Sequence, residues 1–473
     1  FHGRAPAAVT DDMWQDLIEG ETPDGFGFIL KGNVNDIGYQ SITVPGSLKA
    51  YSEAHANHGV LSWREVVEPA IAWAENGSVI RPQVERFWNA EDGSGRVQTR
   101  ERLRYSESGQ RIYFEPDGQL KKLGQTLHNP DMAACLKRIA EEGADVFYQG
   151  EIAERIAADV QMNGGLLSLA DLRDYETVRC EPLWGSYRGY RFSTNQPPGG
   201  GTMLIEMLNM LERFDLAAMG HNSTDYIRTV TEVMKRATSD KDNFIGDPNF
   251  VDVPVARLTD KQYAAQLSDA IKRGERASIE RFRKGENSNT THVSVIDGDG
   301  NAVSMTHSLG MPSGVITEGL GFMYNGCMGV FDPRPGRVDS LAPGKSRFSS
   351  LCPTIVFQND EPYLVIGAPG GTQIAMGVLQ AMLNVIDFDM DMQQAVQAPR
   401  FSATSDAIDI SNRIPDYTVQ PLREMDYTVQ RLPMGFAFAL VHGIQSVGGK
   451  KNGGADPGGD GMALLVESGD LVG

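Results

Sequence analysis

Residues 290–309 read as a single β-hairpin, and their alternation constrains the chain more than any other stretch. Thr290-Thr-His-Val-Ser-Val-Ile-Asp297 alternates with the period of a strand. Gly298-Asp-Gly300 supplies a three-residue turn with glycine last, where a left-handed residue is wanted, and Asn301-Ala-Val-Ser-Met-Thr-His-Ser-Leu309 returns. Centring the turn on Asp299 predicts Val293 opposite Met305 and Val295 opposite Val303, which makes one apolar face. The other face then carries Thr290, His292, Ser294, Ser304, Thr306 and Ser308, with Thr290 directly across from Ser308.

A hydroxyl pair at the root of a hairpin, preceded by Asn289, suits a cleavable bond. A threonine hydroxyl is a poor nucleophile without a base in hydrogen-bond reach. A cut between Asn289 and Thr290 would free an α-amino group, with a pKa of about 7.7–8.0, on the same residue. Ser308 would orient the Thr290 hydroxyl from the facing strand. The plainer alternative is a hydroxyl-rich hairpin with no chemistry.

Composition narrows the partners. The chain has 43 basic and 62 acidic residues, a net charge of −19, which argues against a nucleic-acid groove or an anionic membrane surface. The four cysteines (Cys135, Cys180, Cys327, Cys352) are widely spaced and form no CxxC, so neither a disulfide framework nor a zinc site is expected. His55 and His58 lack an evident third ligand and read as a solvated helix end. No apolar run approaches a membrane span. The chain starts at Phe1, which reads as the interior of a domain and leaves the compartment open.

Helical signals are clearest at 62–76, 203–214, 223–237 and 372–386. The first opens with Ser62 and Glu65 in capping-box spacing and closes at Gly77, with a kink expected at Pro69. The third carries an apolar stripe of Tyr226, Ile227, Val230, Val233, Met234 and Ala237, expected to be core. Strand signals lie at 188–193, 290–309, 354–357 and 363–366. Residues 261–289 are charged and read as a solvated helix and loop, or as a tail exposed by the cut. Together these predict a mixed α/β chain. Tyr363-Leu-Val-Ile-Gly-Ala-Pro-Gly-Gly371 reads as a buried strand and a glycine turn whose backbone N–H groups suit a negative oxygen. Gln196-Pro-Pro-Gly-Gly-Gly201 lacks the Lys-Ser/Thr of a phosphate loop.

Thr290-Thr-His-Val-Ser-Val with Asp297-Gly-Asp-Gly-Asn-Ala-Val303 resembles the start of the small subunit of γ-glutamyltranspeptidases, which are N-terminal-nucleophile hydrolases. Arg347-Phe-Ser-Ser-Leu-Cys-Pro-Thr354 resembles their paired-serine stretch, and Gly367-Ala-Pro-Gly-Gly-Thr372 their glycine-pair loop. Gly319-Leu-Gly-Phe-Met-Tyr-Asn325, Ala398-Pro-Arg-Phe401, Val44-Pro-Gly-Ser47, residues 68–77 and residues 196–201 also match, in family order.

The resemblance implies a four-layer αββα sandwich in which fragments 1–289 and 290–473 stay intertwined as a heterodimer, with higher oligomers left open. It implies Thr290 as nucleophile, Ser308 as its facing hydroxyl, and Gly370 and Gly371 as the oxyanion site. Ser349 and Ser350 would hold a substrate carboxylate, with Asn325 and Arg4 also in substrate binding. Metal and organic cofactors are not required.

Departures from the family pattern set the substrate expectation. Gly326-Cys-Met-Gly-Val330 offers no acid for a substrate ammonium. His2 stands in the register of the carboxylate-binding arginine, with Arg4 two positions later. Gly310 replaces a frequent asparagine, and Ser308 a threonine. Residues 332–345 are shorter than the lid of members that have one, which suggests an open site. The expectation is a self-processing hydrolase or acyltransferase for γ-glutamyl or related small-molecule amides. Two alternatives stand: a non-glutamyl amidohydrolase of the cephalosporin-acylase or oxamate type, and a catalytically silent binding or assembly protein.

Overall fold

A computed structural model describes residues 3–22, 27–90, 95–279 and 290–466. Asn289, His2 and the end of the expected tail (280–289) lie outside the described residues.

Eight strands position the site: β1 (Leu183–Tyr187), β2 (Tyr190–Thr194), β3 (Thr290–Ile296), β4 (Ala302–Ser308), β5 (Thr354–Gln358), β6 (Glu361–Gly367), β7 (His442–Val447) and β8 (Lys450–Ala455). Six of them form an antiparallel sheet in the order β8–β7–β6–β5–β2–β1. Strand β6 lies inside it, and its run Tyr363–Gly367 is buried, as a continuous apolar stretch requires when both faces are covered. The sheet takes strands from both sides of residue 290.

One face is covered by helices. α1 (Ser47–His58) and α2 (Trp63–Asn76) belong to an outer region, whereas α3 (Gly201–Leu211), α4 (Thr224–Phe244), α5 (Lys261–Lys272) and α6 (Ile374–Ile386) surround the main core. Every residue of α3 is buried, as is α6 from Ile374 to Val385, because both helices lie between sheet and other helices. The expected stripe on α4 is core, with Ile227, Val230, Val233, Met234 and Ala237 fully buried and Tyr226 1 % exposed. α4 continues to Phe244, past the last apolar stripe residue. In α2 the Ser62–Glu65 capping box forms and Gly77 ends the helix, which continues through Pro69 as one element.

On the opposite face of the sheet lies the β3–β4 hairpin, with the register expected from its alternation: Thr290 pairs Ser308, Val293 pairs Met305 and Val295 pairs Val303. Asp297 closes the turn by accepting from the backbone N–H groups of Asp299 and Asn301, while Gly300 takes φ +86°. The polar face turns inward. Ser304 Oγ donates to the carbonyl of Ile366 and accepts from the amide of Thr354, so the hydroxyls tie the hairpin to β5 and β6. The apolar face turns outward, leaving Val293 44 % and Val303 51 % exposed. Helices, the six-stranded sheet and the hairpin thus lie in successive layers of a mixed α/β chain.

Candidate active site

The pleat of the hairpin brings two hydroxyls together at its root. Thr290 Oγ1 donates to Ser308 Oγ at 2.8 Å. The backbone N–H of Gly310 donates to the same Ser308 oxygen at 2.9 Å, which fixes the Ser308 side chain. Thr290 is the first residue of its strand and only half-buried. The hydroxyl is therefore held by one oriented partner and is close to solvent. Replacing Ser308 with Ala removes that partner, worth about 1 kcal/mol, and is expected to slow conversion of uncut chain and turnover by roughly 5- to 10-fold. Time courses on denaturing gels and steady-state rates check this.

Beside the hairpin, Ser349 and Ser350 sit 3 % and 4 % exposed in the loop before β5. That loop is held by the glycine-rich stretch 196–201. The Ser349 N–H donates to the carbonyl of Pro198, the Gly200 N–H to that of Leu351, and Asn195 Nδ2 also to Leu351. A methyl group on Gly200 would come 2.5 Å from the Ser350 carbonyl oxygen. The glycine at 200 is there for close backbone approach.

The Gly370–Gly371 turn follows β6 and leads through a 3₁₀ turn into α6. Gly370 adopts φ +149° and Gly371 φ +55°, both in the region that favours glycine. Strand β6 packs against the hairpin itself: a methyl group on Gly367 would meet the His292 ring at 2.2 Å.

The family profile described as Gamma-glutamyltranspeptidase matches residues 1–466. The chain belongs to the γ-glutamyltranspeptidase family. An acylase ACY 1 proenzyme of Pseudomonas sp. (strain V22) is 36 % identical over 437 residues, covering 91 % of this chain and 75 % of the relative. A glutathione hydrolase proenzyme of Escherichia coli (strain K12) is 34 % identical over 419 residues, covering 85 % and 69 %. The crystal structure of a cephalosporin acylase from Bacillus halodurans superposes with a TM-score of 0.85 at 28 % identity, covering 98 % of this chain and 84 % of that one. The chain is thus a hydrolase or acyltransferase of the N-terminal-nucleophile type.

Within this γ-glutamyltranspeptidase-family fold, two of the expected substrate-binding residues are otherwise engaged. Asn325 Oδ1 accepts from the Thr43 N–H, the Thr43 hydroxyl and the Cys327 N–H, and its Nδ2 donates to the Thr43 carbonyl. It pins the 327–330 turn to Thr43. Arg4 forms backbone bridges to Val44 and Ser346, but its guanidinium lies over the Tyr175 ring and donates to the Glu176 carbonyl. Its side chain has no contact with Thr290, Ser308, Ser349 or Ser350 among the described residues. Thr43 lies more than a hundred residues from Asn325, as do Tyr175 and Glu176 from Arg4.

The histidines serve structure. His292 is 7 % exposed, and its ring nitrogens share hydrogen bonds with Thr306 Oγ1 at 2.7 Å and Ser294 Oγ at 2.9 Å. Burial, with a smaller contribution from His442, holds its pKa down to about 3. His307 lies on the other face against Tyr51 of α1, and His55 bonds the Leu61 carbonyl. A histidine depressed in the folded chain binds its proton more readily when unfolded. Stability is therefore complete above the free value of 6.5 and falls as pH drops toward about 3. The slope is at most about 1.4 kcal/mol per pH unit for this one group. Denaturant titrations at a series of pH values should show a slope reduced by about one proton in His292→Asn.

No helix among the described residues is long and apolar enough to cross a membrane, and the described residues hold no cluster of three or more metal-ligating side chains.

Proposed function

We propose that the chain cuts itself between Asn289 and Thr290 and then cleaves γ-glutamyl or related small-molecule amides through an acyl ester on Thr290. The observation that carries this reading is the Thr290–Ser308 hydroxyl pair at 2.8 Å on the first residue of a strand. In the uncut chain the Thr290 hydroxyl attacks the Asn289 carbonyl carbon. The peptide C–N bond breaks as the ester forms, the nitrogen taking up the hydroxyl proton to become the free Thr290 amine, and water then opens the ester to release the Asn289 carboxylate and the Thr290 hydroxyl. In the processed enzyme that amine takes the hydroxyl proton as Thr290 Oγ1 attacks the substrate carbonyl. Gly370 and Gly371 present backbone N–H groups to the oxyanion. The amine returns the proton to the leaving nitrogen, and water or an acceptor amine then takes the acyl group. Fragments 1–289 and 290–473 remain paired, since the main sheet uses strands from both.

A second substrate reading, amides without an α-ammonium group, is favoured by the 326–330 segment. It carries no carboxylate, and Cys327 Sγ fills the space beside Gly310, where it donates to the Leu309 carbonyl. A buried ammonium without an acid is costly. Relatives named acylase and relatives named glutathione hydrolase bracket these two readings.

Denaturing electrophoresis with terminal sequencing tests the processing step, and two fragments divided at Thr290 are expected. A single intact band in active material would sink the mechanism, and a single intact band in inactive material would support a silent binding protein. Rates on a γ-glutamyl anilide against simple acyl anilides separate the substrate readings.

A further inference from the structure

Residues 275–279 leave the end of α5 and lead toward the cut without joining a strand. Side chains take the place of a strand partner. The Ala277 N–H donates to Glu232 Oε2 at 2.8 Å, and the Ile279 N–H to Asp406 Oδ1 at 3.3 Å. The Glu275 carbonyl accepts from Arg236 Nη2 at 2.8 Å. The Arg276 guanidinium lies 4.5 Å from the centre of the Tyr427 ring, and the Ile279 side chain is buried.

Behind these contacts stands a buried charge network. Glu232, on α4, is 1 % exposed and accepts from Arg236 Nη1 at 2.5 Å and from the Tyr427 hydroxyl at 2.7 Å. Lys235, also buried on α4, donates to Asp406 Oδ1 at 3.1 Å and to the Asp406 carbonyl at 2.8 Å. Replacing buried ion pairs by apolar side chains is often neutral or stabilising, so such a network is a poor device for stability alone. Charged acceptors on main-chain N–H groups instead fix position and direction. Glu232 lies upstream of residue 290, whereas Asp406 and Tyr427 lie downstream. The contacts therefore tie the chain leading to the cut to the part of the body that follows it.

An intramolecular attack depends on how closely both reacting groups are confined. The hairpin and Ser308 fix the hydroxyl side. On the other side, ten residues (280–289) separate Ile279 from Thr290. Without the contacts at 275–279, the last fixed point upstream would be the end of α5 at Lys272, seventeen residues (273–289) before Thr290.

We infer that Glu232 and Asp406 are positioning residues for the self-cleavage: their carboxylates clamp the main chain at 277 and 279 and so confine the Asn289 side of the scissile bond. This rests on the reading that the Thr290 hydroxyl attacks the Asn289 carbonyl. It assigns these carboxylates no part in amide turnover by the processed enzyme.

The test follows the cutting of freshly synthesised chain on denaturing gels, and anilide turnover per cleaved chain, in the native protein, Asp406→Ala, Asp406→Asn and Glu232→Gln. The Asp406 side chain is half-buried, so its variants keep the test open should Glu232→Gln fail to fold. The longer tether alone should slow cutting about 2-fold, and lost alignment should take the effect to about 10-fold. Asp406→Asn keeps an oxygen acceptor for the Ile279 N–H and should cut faster than Asp406→Ala. kcat and KM per cleaved chain should stay native in the Asp406 variants. A merely structural role would lower cutting and turnover together, which would overturn the assignment. Native cutting rates in Asp406→Ala would overturn it too. A native chain left uncut at residue 290 overturns the self-cleavage reading and the clamp with it, whereas native cutting matched by the variants overturns the clamp alone.

Discussion

Thr290→Ala is expected to leave the chain as a single uncut polypeptide and to abolish amide cleavage, by roughly 10³-fold or more. The variant deletes the attacking oxygen, and without the cut no α-amine exists to act as base. The fold should survive. Thr290 begins its strand, is half-buried, and among the described residues its side chain hydrogen-bonds Ser308, so stability should change by about 1 kcal/mol. Thr290→Ser keeps the hydroxyl and should restore both cutting and turnover in part. Mass spectrometry of the purified chains, rates on anilides and denaturant titration read the three quantities separately. Cutting at the same bond in Thr290→Ala would remove the proposed nucleophile from the mechanism.

Gly370→Ala should produce the next largest effect. At φ +149° an L side chain is strained, and a strained backbone residue of this kind costs of order 1–3 kcal/mol. Its Cβ would also fall 2.5 Å from both Cα and Cβ of Ala439. The neighbouring chain cannot easily retreat, because the Leu440 N–H donates to the Pro369 carbonyl at 2.9 Å. The 370–371 turn must therefore rotate, and its N–H groups lose their aim. Loss of one aligned oxyanion donor typically lowers the rate by about 10²–10³. Turnover of processed enzyme should fall by that amount with KM little altered, since the donors act on charge that develops in the transition state. A Gly370→Ala enzyme with native kcat would exclude this turn from the oxyanion site.

Parts of the fold were legible in the sequence because their signals are local. Strand alternation with a glycine-ended turn specifies a register, and slipping it by one residue would exchange the two faces of the hairpin. The observed pairing of Thr290 with Ser308 follows from that. The capping box at Ser62–Glu65 and the α4 stripe are likewise short-range patterns. The end of α4 was less legible: residues 238–243 carry polar side chains without an apolar period, and helix propagation from the buried turns continues through them to Phe244.

The site divides in the same way. Which residues share the polar face of the hairpin follows from parity alone. That this polar face turns inward does not, because it depends on acceptors and donors at Ile366 and Thr354, some fifty to sixty residues away. Asn325 and Arg4 were expected to meet substrate from motif context, yet Thr43 engages one and Tyr175 with Glu176 the other.

By itself, then, the sequence determined the hairpin, its register, the hydroxyl pair and the glycine turn, since each depends on backbone geometry over a few residues. Only the tertiary structure decided which polar groups already have partners and which remain free for a ligand. Partner assignment is a property of long-range contacts: Thr43 holds Asn325, and Tyr175 with Glu176 holds Arg4, each from more than a hundred residues away.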